Sequence, residues 1–273
     1  MWERIRLVQV HFERGVARLE ADDLDLAWDE FSEALKHAPR GDGEVHGVVH
    51  AFRARVATER RDWQVVIDET TAAVHHDPTF ATAYALRGTA HVEKGDFDLA
   101  IADLTEALRR GAEAPPILLM RGRARLSKRD HERALADFNA ALLVEPGMPL
   151  VLLFRGFTYR LLGRWQSAIA DFTRAIQCNM EPATAYEARA SCWQSLGDFQ
   201  LAFEDLFNAI ALDPNDPIPY ARRAECYRLI GEESRALADE RRAAELSPDD
   251  SQTAVAGGDG TPPRSPSKGS QAT

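Results

Sequence analysis

Three glycines, Gly88, Gly122 and Gly156, stand 34 residues apart, and this spacing constrains the fold more than any other feature of the chain. The same step reaches Ala54 before them and Ala190 and Ala224 after them. Two further ladders share the period: Ala73, Ala107, Ala141, Ala175, Ala209 and Ala243, and Ala100, Ala134, Ala168, Ala202 and Ala236. Pro78, Pro146, Pro214 and Pro248 fall on the same grid. Self-similarity at a fixed short period is the signature of stacked structural repeats. The frame gives six contiguous repeats, 47–80, 81–114, 115–148, 149–182, 183–216 and 217–250. A seventh, 8–41, carries Gly15, Ala27, Phe31, Ala34 and Pro39. Residues 42–46 separate it from the next, with a looser turn expected at Gly41-Asp42-Gly43.

Each repeat reads as two short amphipathic helices. Gly95-Asp96, Gly163-Arg164 and Gly197-Asp198 sit in mid-repeat, where a glycine past a helix end supplies the left-handed conformation that stops it. The prolines close the second helix and open the next repeat. Small residues on the ladders let helices approach, and Phe138, Phe172, Leu104 and Leu206 fill the space between them.

In this form the pattern resembles the tetratricopeptide repeat. In repeat 149–182 the signature positions are Leu152, Gly156, Tyr159, Ala168, Phe172 and Ala175, with Met180 in place of proline. Repeat 47–80 departs most, with His50, Val66 and Thr70 at three such positions. The resemblance covers residues 8–250 and implies an all-α fold, a right-handed α-solenoid of seven antiparallel helix pairs over 1–250. Repeats of this kind bury their apolar faces only against neighbours, so the end must be polar. Glu233, Arg235, Asp239, Glu240, Arg241, Arg242 and Glu245 make the last helix such a cap. Residues 251–273 are rich in Gly, Ser, Pro and Thr and read as a disordered tail.

The formal net charge of −10 opposes general binding to nucleic acid or an anionic membrane. No run approaches the roughly 20 apolar residues a spanning helix needs, and Met1-Trp2-Glu3-Arg4-Ile5-Arg6 has no apolar signal core. Cys178, Cys192 and Cys226 show no metal-type spacing and suit a reducing compartment. A cytoplasmic protein is expected.

No arrangement of residues suggests catalysis, a metal or a cofactor. His46 and His50 are spaced i, i+4 and His75 and His76 are adjacent, but no third ligand is indicated. His131-Glu132 opens like a zinc-protease motif, yet Leu135 stands where the second histidine belongs. There is no phosphate-binding glycine loop and no nucleophile elbow. One further ladder invites a ligand: Arg14, Arg53, Arg87, Arg121, Arg155, Arg189 and Arg223. Sixteen residues after each stands an acid: Glu30, Glu69, Asp103, Asp137, Asp171, Asp205 and Asp239. Matched ladders predict an ion pair within each repeat, which leaves the arginine little to offer a partner.

The resemblance also implies where a ligand sits. In this family the first helices of successive repeats line a concave groove, with the second, fifth, ninth and twelfth positions facing it. Leu118-Leu119-Met120, Leu150 to Phe154 and Phe157 leave the middle of that groove apolar, and Arg123 and Arg160 flank it. A helix apolar all round needs something on every side. The expected peptide-binding set is therefore Leu119, Met120, Arg123, Leu153, Phe154, Phe157 and Arg160, holding a protein or peptide with apolar anchors and some acidic character. The alternative is a self-associating repeat protein whose groove another copy fills. The Lys and Asn pattern of the chaperone-tail adaptors of this family is missing from the first helices.

Overall fold

The computed structural model describes residues 2–247, so the expected disordered tail lies outside the described residues. Among them every regular element is an α-helix. The helices run in pairs: α1 (Trp2–Glu20) with α2 (Leu24–His37), α3 (Gly43–Glu59) with α4 (Trp63–His76), α5 (Ala81–Lys94) with α6 (Phe97–Arg109), and α7 (Ala114–Ser127) with α8 (His131–Val144). These form a first compact unit that ends at Val144. A second begins at Glu145 and holds α9 (Pro149–Leu161) with α10 (Trp165–Gln177), α11 (Pro182–Leu196) with α12 (Phe199–Leu212), and α13 (Pro217–Leu229) with α14 (Glu233–Leu246).

Within each unit a helix packs on its successor, and the first helices of successive pairs also touch. In the N-terminal unit α1 meets α3, α3 meets α5 and α5 meets α7; in the C-terminal unit α9 meets α11 and α11 meets α13. The odd-numbered helices thus lie side by side in each unit and share one face.

The punctuation of the pairs follows from the sequence. The fifteenth position of every repeat has positive φ, filled by Gly95, Gly163, Gly197 and Gly231 but also by Asp22, Arg61 and Arg129. The last three accept a left-handed backbone that costs an L-residue roughly 1–2 kcal/mol, because the helix reversal repeats at that position whatever residue stands there. Asp62 and Asp198 cap the second helices, accepting from the backbone N–H groups of Val65 and Leu201. Pro149, Pro182 and Pro217 open first helices, where a missing N–H costs nothing.

The small-residue ladder is matched to its partner. A Cβ on Gly15, Gly122 or Gly156 would stand 2.6, 2.4 or 2.7 Å from the ring of Phe31, Phe138 or Phe172. Where the ladder residue is Ala54 or Ala190, the residue sixteen on shrinks to Thr70 or Leu206, both fully buried. Gly88 faces Leu104 at 2.7 Å by the same measure.

The chain turns at residues 40–42, with Gly41 at positive φ, but residues 43–46, expected to separate the repeats, are helical. They lengthen α3 by its first turn, with the Asp42 side chain capping Val45 N–H at 3.1 Å. Gly43 lets this turn approach the carbonyl of His76, which a Cβ would meet at 2.3 Å. At the C-terminal end α14 buries only Ala236 and Asp239, and Glu240 pairs with Arg228, so the helix presents a largely polar outer face.

Candidate functional site

The arginine ladder is internal in six of its seven rungs. Arg87, Arg121, Arg155, Arg189 and Arg223 each hold the acid sixteen residues on through Nε and Nη2, at 2.7–3.1 Å. Arg53 reaches Glu69 at 3.1 Å. The carboxylate bonds, foremost, hold the guanidinium pKa of Arg87, Arg155, Arg189 and Arg223 above the ordinary value. The first rung differs: His11 Nδ1 takes Glu30 at 2.6 Å, and Arg14 is exposed. His50 meets Glu69 at 2.7 Å in the same way. In both repeats the acid is the longer Glu, which reaches a histidine one turn before the arginine.

The seven residues expected to bind a partner divide between the units. Leu119, Met120 and Arg123 lie on α7 in the N-terminal unit; Leu153, Phe154, Phe157 and Arg160 lie on α9 in the C-terminal unit. The expectation of a bare apolar floor is corrected at four of them. Leu119, Leu153, Phe154 and Phe157 are buried, Leu153 to 1% exposure. Leu153 and Phe157 pack with Ala168 and Phe172 on α10 and with Ala185, Ala188 and Cys192 on α11. Helix α9 is apolar all round because its own unit covers it on two sides.

Met120, Arg123 and Arg160 keep accessible atoms. Arg123 is held by Glu93 at 3.0 Å and touches the Met120 sulfur at 3.3 Å. Arg160 differs. Its Nη1 reaches only Ser191 Oγ, at 3.5 Å, its guanidinium lies 5.7 Å from the Phe157 ring centre, and its Nε is buried with no hydrogen bond. Burial first, and next the like charge of Arg222, push its pKa below the ordinary guanidinium value.

Arg160 opens onto a cleft of about 550 Å³ across α9, α11 and α13, lined also by Trp165, Ser191, Gln194, Arg222 and Leu229. Arg222 pairs with Glu187. Arg222 was not among the expected residues, although the sequence carries its signal. The sixth position of the other five contiguous repeats is Phe52, Leu86, Met120, Phe154 and Ala188, so an arginine there is out of pattern.

His46 and His50 on α3 stack on His76 of α4, with ring centres 4.7 and 5.6 Å away. Among the described residues no group of three or more His, Cys, Asp or Glu side chains is placed to hold a metal ion. Among the same residues no helix is long and apolar enough to cross a membrane.

A family model described as tetratricopeptide repeat matches residues 67–115, 85–149, 119–181 and 158–217. No curated protein sequence matches the chain. Among solved structures, a tetratricopeptide repeat protein from Parabacteroides merdae is 18% identical over 88% of this chain and 93% of its own, with a TM-score of 0.66. Pseudomonas aeruginosa pilF is 17% identical over 82% of this chain and 99% of its own, with a TM-score of 0.69. YrrB, described as a repeat protein of this kind with an unusual peptide-binding site, is 19% identical over 69% of this chain and 95% of its own, with a TM-score of 0.58. At these identities the likeness is one of fold.

Proposed function

The chain belongs to the tetratricopeptide-repeat family, whose members generally mediate protein–protein contacts without catalysis, and from that premise we propose that it is a non-enzymatic scaffold binding a peptide segment of a partner along the face of its odd-numbered helices. The observation that carries this reading is the open cleft of about 550 Å³ whose walls come from three successive first helices, α9, α11 and α13, with Trp165 at the start of α10. A concave site with apolar walls and a few convergent polar groups is the usual form of a binding site. Leu161, Trp165 and Leu229 supply apolar wall, and Arg160, Ser191 and Gln194 supply polar groups that orient a chain. Met120 and Arg123 offer similar chemistry on α7 of the N-terminal unit, while Leu119, Leu153, Phe154 and Phe157 act as packed support beneath the face. We place the protein in the cytoplasm, where its three free thiols are stable.

The test is site-directed photo-crosslinking in the native host. A photoreactive phenylalanine derivative at Gln194, on the cleft, is compared with one at Phe207, an exposed position on α12. Adducts to another protein from position 194 but not 207 are the expected result. Adducts from 207 alone, or from neither position, overturn the cleft as the binding face. Adducts from 194 to a second copy of the chain select the self-associating alternative.

A further inference from the structure

Arg160 is out of keeping with the other arginines that reach the interior. Each of the six paired ladder arginines is held by a carboxylate, and Arg123 has Glu93. Arg160 has no acid within salt-bridge distance among the described residues, only the long contact to Ser191 and its place over the Phe157 ring. Glu187, the carboxylate at the next first helix, is committed to Arg222. A guanidinium withdrawn from water without an anion is costly, and the usual remedy is a partner that brings the anion. The local sum is two guanidiniums and one carboxylate, one positive charge in excess, in a chain whose net charge is −10.

We propose that Arg160 and Arg222 form a receptor for one carboxylate on the bound peptide, an Asp or Glu side chain whose apolar neighbour rests on Trp165 and Leu161. The inference rests on the reading of this cleft as the peptide-binding face. The charge count selects a carboxylate over a phosphate. A single negative charge balances the excess, whereas a dianion would leave one charge over beside Glu187 in a partly dry cleft, where repulsion is strong. Arg160 makes only one long bond, from Nη1 to Ser191 Oγ, and a planar fork of donors matches a carboxylate. The Ser191 hydroxyl donates to the carbonyl of Ala188 at 3.1 Å, so in the free protein its oxygen faces Arg160 as an acceptor. A ligand carboxylate replaces that weak contact with a charged one.

The test pans a phage-displayed random nonapeptide library against the full chain, against Arg160→Met and against Glu187→Gln. The wild type is expected to select peptides with an acid at a fixed distance from an apolar residue. Arg160→Met is expected to keep the apolar residue and lose the acid, and to bind a wild-type-selected peptide roughly tenfold more weakly or worse. Thermal unfolding of Arg160→Met should occur at the wild-type temperature or above it, since the variant removes an uncompensated charge. Glu187→Gln, which leaves two guanidiniums uncompensated, should bind the same peptide more tightly, and it keeps the idea testable if Arg160→Met folds poorly. Peptides selected without an acid, or an acid selected equally by wild type and Arg160→Met, overturn the carboxylate receptor and leave the peptide-binding face standing. Weaker binding by Glu187→Gln also overturns it. Failure of the wild type to select any peptide overturns both.

Discussion

Arg189 grips Asp205 with Nε and Nη2, at 2.8 and 2.7 Å, while its Nη1 reaches back 2.7 Å to Thr173 of the preceding repeat. One guanidinium on α11 thereby fastens α12 within its own repeat and α10 in the repeat before. Arg121 does the same with Asp137 on α8 and Thr105 on α6. The arginine ladder is therefore a set of fasteners between repeats as well as within them.

Because Asp205 is 3% exposed, removing it alone strands a partly buried guanidinium. Asp205→Leu should lower stability by about 3 kcal/mol in urea unfolding. Arg189→Met/Asp205→Leu should recover most of that loss, since two apolar side chains of similar bulk leave no unpaired charge. A loss under about 1 kcal/mol for the single variant would show that the pair holds register without carrying stability.

Gly156→Ala should also destabilise, against the usual sign. Alanine in a helix interior normally gains up to about 1 kcal/mol over glycine. Here its Cβ would stand 2.7 Å from the ring of Phe172, a fully buried side chain with no room to retreat. The expected cost is about 1–3 kcal/mol. Gly156→Ala/Phe172→Leu, which copies the natural Ala190 and Leu206 combination, should restore much of it. Denaturant midpoints of the two variants decide the point.

These relationships were legible in the sequence because each binds two residues at a fixed separation, and the 34-residue period repeats the evidence. Arg189 with Asp205 and Gly156 with Phe172 recur as ladders that no single site could have shown. The apolar floor was not legible in the same way. An apolar stripe that meets a partner and one covered by its own neighbours have the same composition, and only the packing of α9 against α10 and α11 shows that Leu153 and Phe157 are covered. Arg160 was found by its position, but its lack of an acid depends on Glu187 turning to Arg222, which spacing does not reveal.

The three cysteines should separate by reactivity. Cys178 is exposed, whereas Cys192 and Cys226 are buried, and burial foremost pushes their thiols up to about 11. At pH 8 iodoacetamide should modify Cys178 first and the other two only as fast as the chain opens. The sign for stability follows: a thiol pKa raised by folding favours the folded state below the ordinary value of 9.0, and that contribution is lost as pH rises through about 11. Peptide mass spectrometry over a time course reads the order, and equal labelling of all three would contradict the burial of Cys192 and Cys226.

Acid should weaken the α3–α4 pair through His76. Its ring stacks with those of His46 and His50 and lies 5.6 Å from that of His75. Burial first, then the charges of His46, His50 and His75, lower its pKa below 6.5. Two acceptors beside the stack are already engaged: Glu69 bonds His50 Nδ1, and the Asp42 carbonyl bonds His46 Nδ1. With the folded-state pKa depressed, the unfolded chain binds the proton more readily. The stabilising contribution is then full above pH 6.5 and declines as pH falls through the folded-state value. His76→Gln keeps a polar side chain of similar reach but cannot charge. Urea midpoints at pH 7.5 and 5.5 should fall more steeply for the wild type than for this variant, and equal falls would place the acid sensitivity elsewhere than in the histidine stack.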